Sequence, residues 1–226
     1  MSKQVKHKKN DEFATVEQAL STSEAFIEKY QKQILIGVGI VVALVLVVLA
    51  VRNFYIKPHE IAAENEMYKA QTFFAAGLFE EALNGDNLEC IGFKEIVSEY
   101  GMTPSGNLAT AYAGICYYKL SDYNNAIKYL SQFDGSDIYL TTSVIGLIGD
   151  SYVELGEIQK AIGYFEKAGS LKNNVLSPIY LKKAGLAYES IGQAAKAAKC
   201  YNEIKDSYST SQEASDIDKY IARVSG

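Results

Sequence analysis

The sequence predicts an all-α protein, with one N-terminal transmembrane helix followed by a solenoid of stacked helix pairs. Three observations lead there. Residues 33–51 carry no charged side chain and read ILIGVGIVVALVLVVLAV from Ile34 onward. A pattern of Gly, Tyr, Ala and a large apolar residue recurs three times in the second half, at offsets of 35 and 36 residues. Only three prolines occur, Pro58, Pro104 and Pro178, so long stretches can stay helical.

The uncharged run comes first. At 1.5 Å per residue it spans roughly the 30 Å hydrocarbon core of a bilayer. Val, Ile and Leu occupy its whole circumference, with Lys32 and Arg52 at its two ends. A secretory signal also begins with positive charge and continues apolar. Here, however, the leader is long and the run exceeds an ordinary signal core, which argues that it is retained. Val48 and Ala50 before Arg52 supply the small side chains that the alternative, cleavage, would need.

Orientation follows from charge. Lys29 and Lys32 balance Arg52 and Lys57 close to the helix, but the short tail adds Lys3, Lys6, Lys8 and Lys9. Short basic segments stay in the cytoplasm, whereas a long domain crosses whatever its charge. Residues 1–32 hold six lysines and five acids, and residues 52–226 hold 16 bases and 22 acids. The expectation is a cytoplasmic tail and an exported, acidic domain, which gives no reason to expect nucleic acid as a partner.

Within the tail, Phe13, Val16, Leu20, Ile27, Tyr30 and Ile34 recur at helical steps, with Asn10 or Asp11 as the cap. Such an amphipathic helix either lies on the membrane or docks on a membrane partner. The lysines ahead of it would touch anionic lipid.

Beyond Pro58 the repeats take over. GICYYKLSDYNNAIKYL, starting at Gly114, aligns with GDSYVELGEIQKAIGYF from Gly149 and GLAYESIGQAAKAAKCY from Gly185. Each copy has a Gly three residues before a Tyr: Gly114 and Tyr117, Gly149 and Tyr152, Gly185 and Tyr188. A turn follows at Ser121, Gly156 or Gly192, then Ala126, Ala161 or Ala197, then Leu130, Phe165 or Tyr201. Small residues let two helices approach closely, and Gly suits the left-handed residue that ends the first helix. One hairpin cannot bury its apolar face, but a stack of them can.

This spacing resembles the tetratricopeptide repeat (TPR), whose period is near 34. A degraded copy carries Ala70, Phe73, Gly77, Phe79 and Ala82, and turn-forming residues 84–90 interrupt its second helix. Ala214, Ile217, Tyr220, Ile221 and Val224 form a last amphipathic helix that would cap the stack. The expected organisation is thus a cytoplasmic tail over 1–32, the transmembrane helix over 33–56, and a connecting helix with the degraded hairpin over 57–106. Three repeats over 107–141, 142–177 and 178–208 follow, with the cap over 209–226. About nine helices would form the solenoid.

No catalytic or cofactor constellation accompanies the repeats. The chain lacks HExxH, GxSxG, a Walker loop and a glycine-rich dinucleotide turn, and its two histidines, His7 and His59, flank the apolar run. Cys90, Cys116 and Cys200 are too few and too scattered for a disulfide framework or a metal site, and read as small core residues. Neither an enzyme, a cofactor nor a small-molecule substrate is expected.

Stacked helix pairs instead form a groove lined by the first helix of each repeat, suited to partner segments. Its expected lining is Met67, Gln71 and Phe74, then Leu108, Ala111, Ile115 and Tyr118. Asp150, Val153 and Glu154 follow, and the last copy supplies Ile179, Lys182, Leu186 and Glu189. TPR proteins that grip acidic chaperone C-termini resemble one another in a basic and Asn clamp; the matching positions here are Ala111, Ile115 and Leu147. An apolar, Tyr-bearing groove fits hydrophobic segments better.

As a whole, the EKYQKQ helix end, the span, the hairpin with IVSEY, the three repeats and the DSYSTSQEASDIDKYIARV cap resemble YfgM-like proteins, ancillary subunits of the SecYEG translocon. The resemblance implies a bacterial inner-membrane protein with periplasmic repeats. Its partners would be the translocon, a membrane-anchored periplasmic chaperone and exported client chains. The alternative is a scaffold or assembly factor for another cell-envelope complex. The lysine-rich extreme N-terminus and residues 84–90 depart from that pattern.

Overall fold

Hydrogen-bonded helix accounts for most of the chain in the computed structural model, which describes residues 29–86 and 88–226. The expected tail helix begins at Asn10 or Asp11, and its part before residue 29 lies outside the described residues. The chain divides into two units between Tyr55 and Ile56.

The first unit contains α1, residues 29–51, and most of a π-helical turn, Arg52–Ile56. Side chains from 31 to 55 are all exposed, and none of the apolar window is buried. This helix is long and apolar enough to cross a membrane.

The second unit holds ten α-helices among the described residues. The first three are α2 (Lys57–Ala75), α3 (Phe79–Asn84) and α4 (Gly92–Tyr100). Three hairpins follow: α5 (Pro104–Lys119) with α6 (Tyr123–Leu130), α7 (Ile138–Glu154) with α8 (Ile158–Ser170), and α9 (Ser177–Ser190) with α10 (Ala194–Ser207). A 3₁₀ turn, Glu213–Asp216, leads into α11 (Ile217–Ser225). No strand occurs among the described residues.

Local chemistry sets the helix ends. Thr103, Asp122 and Asp137 cap α5, α6 and α7 by accepting from the backbone N–H groups of Gly106, Asn125 and Leu140. Hairpin turns need a left-handed residue, supplied by Gly77, Gly156 and Gly192 and, at a strained φ of 63°, by Ser121. Ahead of the three hairpins, the loop between α3 and α4 is tied by Asp86, whose Oδ1 accepts from the N–H groups of Leu88, Glu89 and Cys90.

The repeated glycines act by close approach. A Cβ at Gly114 would lie 2.5 Å from Leu130 Cγ, and one at Gly149 would lie 2.6 Å from the Phe165 ring. At Gly185 it would collide with Tyr201. In every hairpin, then, the glycine of the first helix seats the large residue of the second. Beside this contact, Tyr117 packs on Tyr129 and Tyr152 on Tyr164, with ring centroids 5.1 and 5.4 Å apart. The third hairpin has Cys200 at that place, and Tyr188 instead donates to Glu166 at 2.6 Å.

The core is a succession rather than a single centre. Phe93, Ile96 and Cys116 belong to its first part, Ala126, Leu130 and Ile148 to its middle, and Phe165, Tyr201 and Ile204 to its last. Each hairpin packs on its neighbours, as expected of a solenoid.

Candidate partner-binding groove

Helices α7, α8 and α9 border a small apolar hollow. Helices α7 and α9 come together because the Tyr180 ring lies directly against Gly146, where any Cβ would collide with it. Beyond that contact lies a hollow of about 380 Å³ lined by Val153, Ile158, Phe165, Leu186 and Ala187, with Asp150, Lys183 and Ser190 also on its wall. Val153 and Leu186 are 39% and 43% exposed, high for large apolar side chains beside a packed core.

One wall is electrostatically fixed. Lys183 Nζ donates to both carboxylate oxygens of Asp150 at 2.7 Å and lies over the rings of Phe165 and Tyr180. Further along, burial pushes the Tyr118 hydroxyl above its ordinary pKa, and the nearby Asp150 and Glu154 carboxylates add to the shift. Tyr118 itself stacks edge-on to Tyr123 at 5.6 Å.

The expected lining is therefore only partly assembled. Asp150, Val153 and Leu186 meet at the hollow, with Glu154 exposed and Tyr118 close by. Met67 and Ala111 must be corrected: they are buried in the core, because their side of α2 and α5 faces neighbouring helices. Phe74 packs among Phe79, Phe93 and Tyr112, and Leu108 and Ile115 also lean on the core. Gln71 and Ile179 are half-buried.

Lys182 and Glu189 are engaged by the C-terminal cap. Lys182 donates to Asp216 at 2.7 Å and stands over the Tyr220 ring. Glu189 takes two hydrogen bonds from Arg223 at 2.7 Å and another from the Tyr201 hydroxyl. Lys183, Ile158 and Phe165 were the lining residues that spacing could have revealed. Asp150 and Lys183 stand 33 residues apart, close to one repeat period.

Comparison with known proteins matches two stretches of the chain to a repeat family. Residues 142–174, which cover most of α7 and all of α8, match one tetratricopeptide repeat model, and residues 181–211 match another. These two helix pairs are tetratricopeptide repeats. The TPR solenoid is similar in structure to a putative kinesin light chain from Podosopora anserina with nearly identical TPR-like repeats. That match has a TM-score of 0.53 and 14% identity, covering 74% of this chain and 86% of that one. A crystal structure of MamA protein gives 0.51 and 19%, covering 72% and 86%. At such identities the likeness is one of fold. No curated protein sequence matches the chain.

TPR folds typically serve as non-catalytic scaffolds that bind other proteins. Among the described residues, no group of three or more His, Cys, Asp or Glu side chains is placed to hold a metal ion. The three cysteines are buried thiols. Burial pushes Cys116 up to about 12 and Cys200 up to about 11, and it raises Cys90 as well.

Proposed function

We propose that this chain is a membrane-anchored protein-interaction module, in which α1 crosses the bilayer and the hollow between α7 and α9 takes apolar segments of partner proteins. The observation that carries the binding reading is the pair Val153 and Leu186, left exposed above an apolar hollow by the packing of two TPR first helices. Apolar side chains presented beside a fixed ion pair provide an anchor point and an orienting charge.

The membrane part rests on α1. Tyr30 precedes its apolar run, and Phe54 and Tyr55 follow it, as aromatic belts do at the two faces of a bilayer. The 25 helical steps from Tyr30 to Tyr55 span about 38 Å, enough for the hydrocarbon core and part of each interface.

The finer reading places the tail in the bacterial cytoplasm and the TPR domain in the periplasm, as an accessory of the SecYEG translocon and its chaperones that receives exported segments. Six tail lysines and the acidic domain support that orientation. Tethering raises the local concentration of the groove to roughly the millimolar range for a chain emerging nearby.

Pull-down of the detergent-solubilised protein, with and without residues 1–32, tests the partner. SecYEG components should be recovered; their absence from every preparation sinks the translocon reading, and other envelope subunits in their place would indicate a scaffold. Protease added outside intact spheroplasts should digest residues 57–226, and full protection would reverse the orientation.

A further inference from the structure

Cations in the TPR domain repeatedly settle in one setting, above an aromatic ring and against a carboxylate. Lys160 stands over the Tyr152 ring at 5.2 Å and pairs with Glu157. Lys182 stands over Tyr220 at 4.4 Å and donates to Asp216. Lys183 lies over Phe165 and Tyr180 while bound to Asp150. The π-face attracts the positive charge and the carboxylate balances it, so each setting is complete only with its cation.

One such setting beside α7 lacks its cation. The Tyr118 and Tyr123 rings meet edge-on with centroids 5.6 Å apart. Burial raises the Tyr118 pKa, and the Asp150 and Glu154 carboxylates raise it further, which puts both acids within electrostatic reach of its hydroxyl. Asp150 and Glu154 stand four positions apart on α7 and so share a face. Lys183 already balances Asp150, whereas Glu154 is exposed and has no ion-pair partner among the described residues. Among those residues, no lysine or arginine stands over the Tyr118 or Tyr123 ring. Lys119, next along α5, is exposed and leaves the helix about 100° away from Tyr118.

This setting adjoins the apolar hollow. Asp150 and Val153 line the hollow, and Glu154 follows Val153 on α7. Packed helices lie about 8–10 Å apart, so roughly one such step separates the hollow between α7 and α9 from the Tyr118 ring on α5. Positions seven apart on a helix, roughly 10 Å along its axis, match that step. A hollow of about 380 Å³ also has room for one large apolar side chain.

Resting on the reading of the hollow as the partner site, we propose that its occupants are protein segments that pair a large apolar side chain with an arginine or lysine about two helical turns away. The apolar side chain seats between Val153 and Leu186. The cation lies on the Tyr118 and Tyr123 rings with Glu154 as its counter-ion. A segment without that cation gains the first contact alone, and one with an acid in its place meets repulsion.

The test uses the full chain in phosphatidylcholine nanodiscs, with unloaded discs as the blank. The probe is a helical Ala/Gln peptide carrying one tryptophan and, seven positions on, one arginine. Because the chain has no tryptophan, the emission of the peptide alone reports its seating in the hollow. The arginine peptide should bind about fivefold tighter than the same peptide with Gln at that position, and a Glu peptide no tighter than the Gln one. In Glu154→Gln, an exposed substitution, and separately in Tyr118→Leu, the ratio of arginine to Gln peptide should fall to about one. Equal affinities for the arginine and Gln peptides in the unsubstituted chain, with both weakened by Leu186→Asp, overturn the cation subsite and leave the hollow standing. A preference for arginine that persists in Glu154→Gln and Tyr118→Leu also overturns the subsite. Peptide emission that the chain does not shift, or binding indifferent to Leu186→Asp, overturns the hollow as the partner site and the cation subsite with it.

Discussion

Lys183 on α9 reaches back one repeat to Asp150 on α7, holding both carboxylate oxygens at 2.7 Å while its ammonium lies over two aromatic rings. The pair links adjacent TPR first helices beside the apolar hollow. Both side chains remain partly exposed, so Asp150→Asn should cost only about 0.5–1 kcal/mol. A double-mutant cycle with Lys183→Met, followed by urea unfolding, would measure the coupling, which should shrink in high salt.

Leu186→Asp should weaken capture of apolar partner segments about tenfold, the effect of losing one anchor, without moving the thermal midpoint. Phe74→Ala should do the reverse. Its ring meets three others, so its loss should destabilise by about 2–3 kcal/mol and leave capture unchanged in the folded fraction. Circular dichroism melts alongside a binding assay separate the two outcomes.

Gly149→Ala would push a methyl group into the Phe165 ring and should cost about 1–3 kcal/mol. Gly163→Ala, on the exposed face of α8 with open space around it, should instead gain about 0.5–1 kcal/mol from reduced backbone freedom. At the first hairpin turn, Ser121→Gly relieves a left-handed residue at some entropic cost in the unfolded chain, for a net gain of about 0.5 kcal/mol. Equal effects at 149 and 163 would contradict the close-approach account.

The cap should loosen in acid. Hydrogen bonds from Arg223, and then from Tyr201, hold the Glu189 carboxyl below its usual range, and Lys182 does the same for Asp216. A carboxylate whose pKa is depressed by folding stabilises fully above its unfolded value, and that contribution fades as pH falls through the folded one. Amides of α11, corrected for intrinsic exchange, should therefore lose protection relative to α8 below about pH 4. Identical relative protection at pH 3 and 6 would dissociate the ion pairs from docking of the cap.

Much of the architecture could be read directly from residue spacing, because a solenoid repeats its own contacts. Gly114, Gly149 and Gly185 announced three hairpins, and each proved to seat the large residue sixteen positions later. The turns at Gly156 and Gly192 were equally visible. What spacing could not give was the facing of individual side chains. Adjacent helical residues point about 100° apart, so Lys182 meets the cap while Lys183 meets the preceding repeat. The same small angular error put Met67 and Ala111 in the groove instead of the core. The degraded hairpin was legible as an interruption, but the way Asp86 closes its loop is a tertiary detail.

The three buried thiols give the stack a set of internal clocks. Cys90 and Cys116 lie in the first part of the core and Cys200 in the last. With their pKa values raised by burial, they resist alkylation until their own segment opens. A thiol reagent applied to the native chain would thus record which end of the stack frays first. Since each repeat leans only on its neighbours, the two ends need not keep the same time.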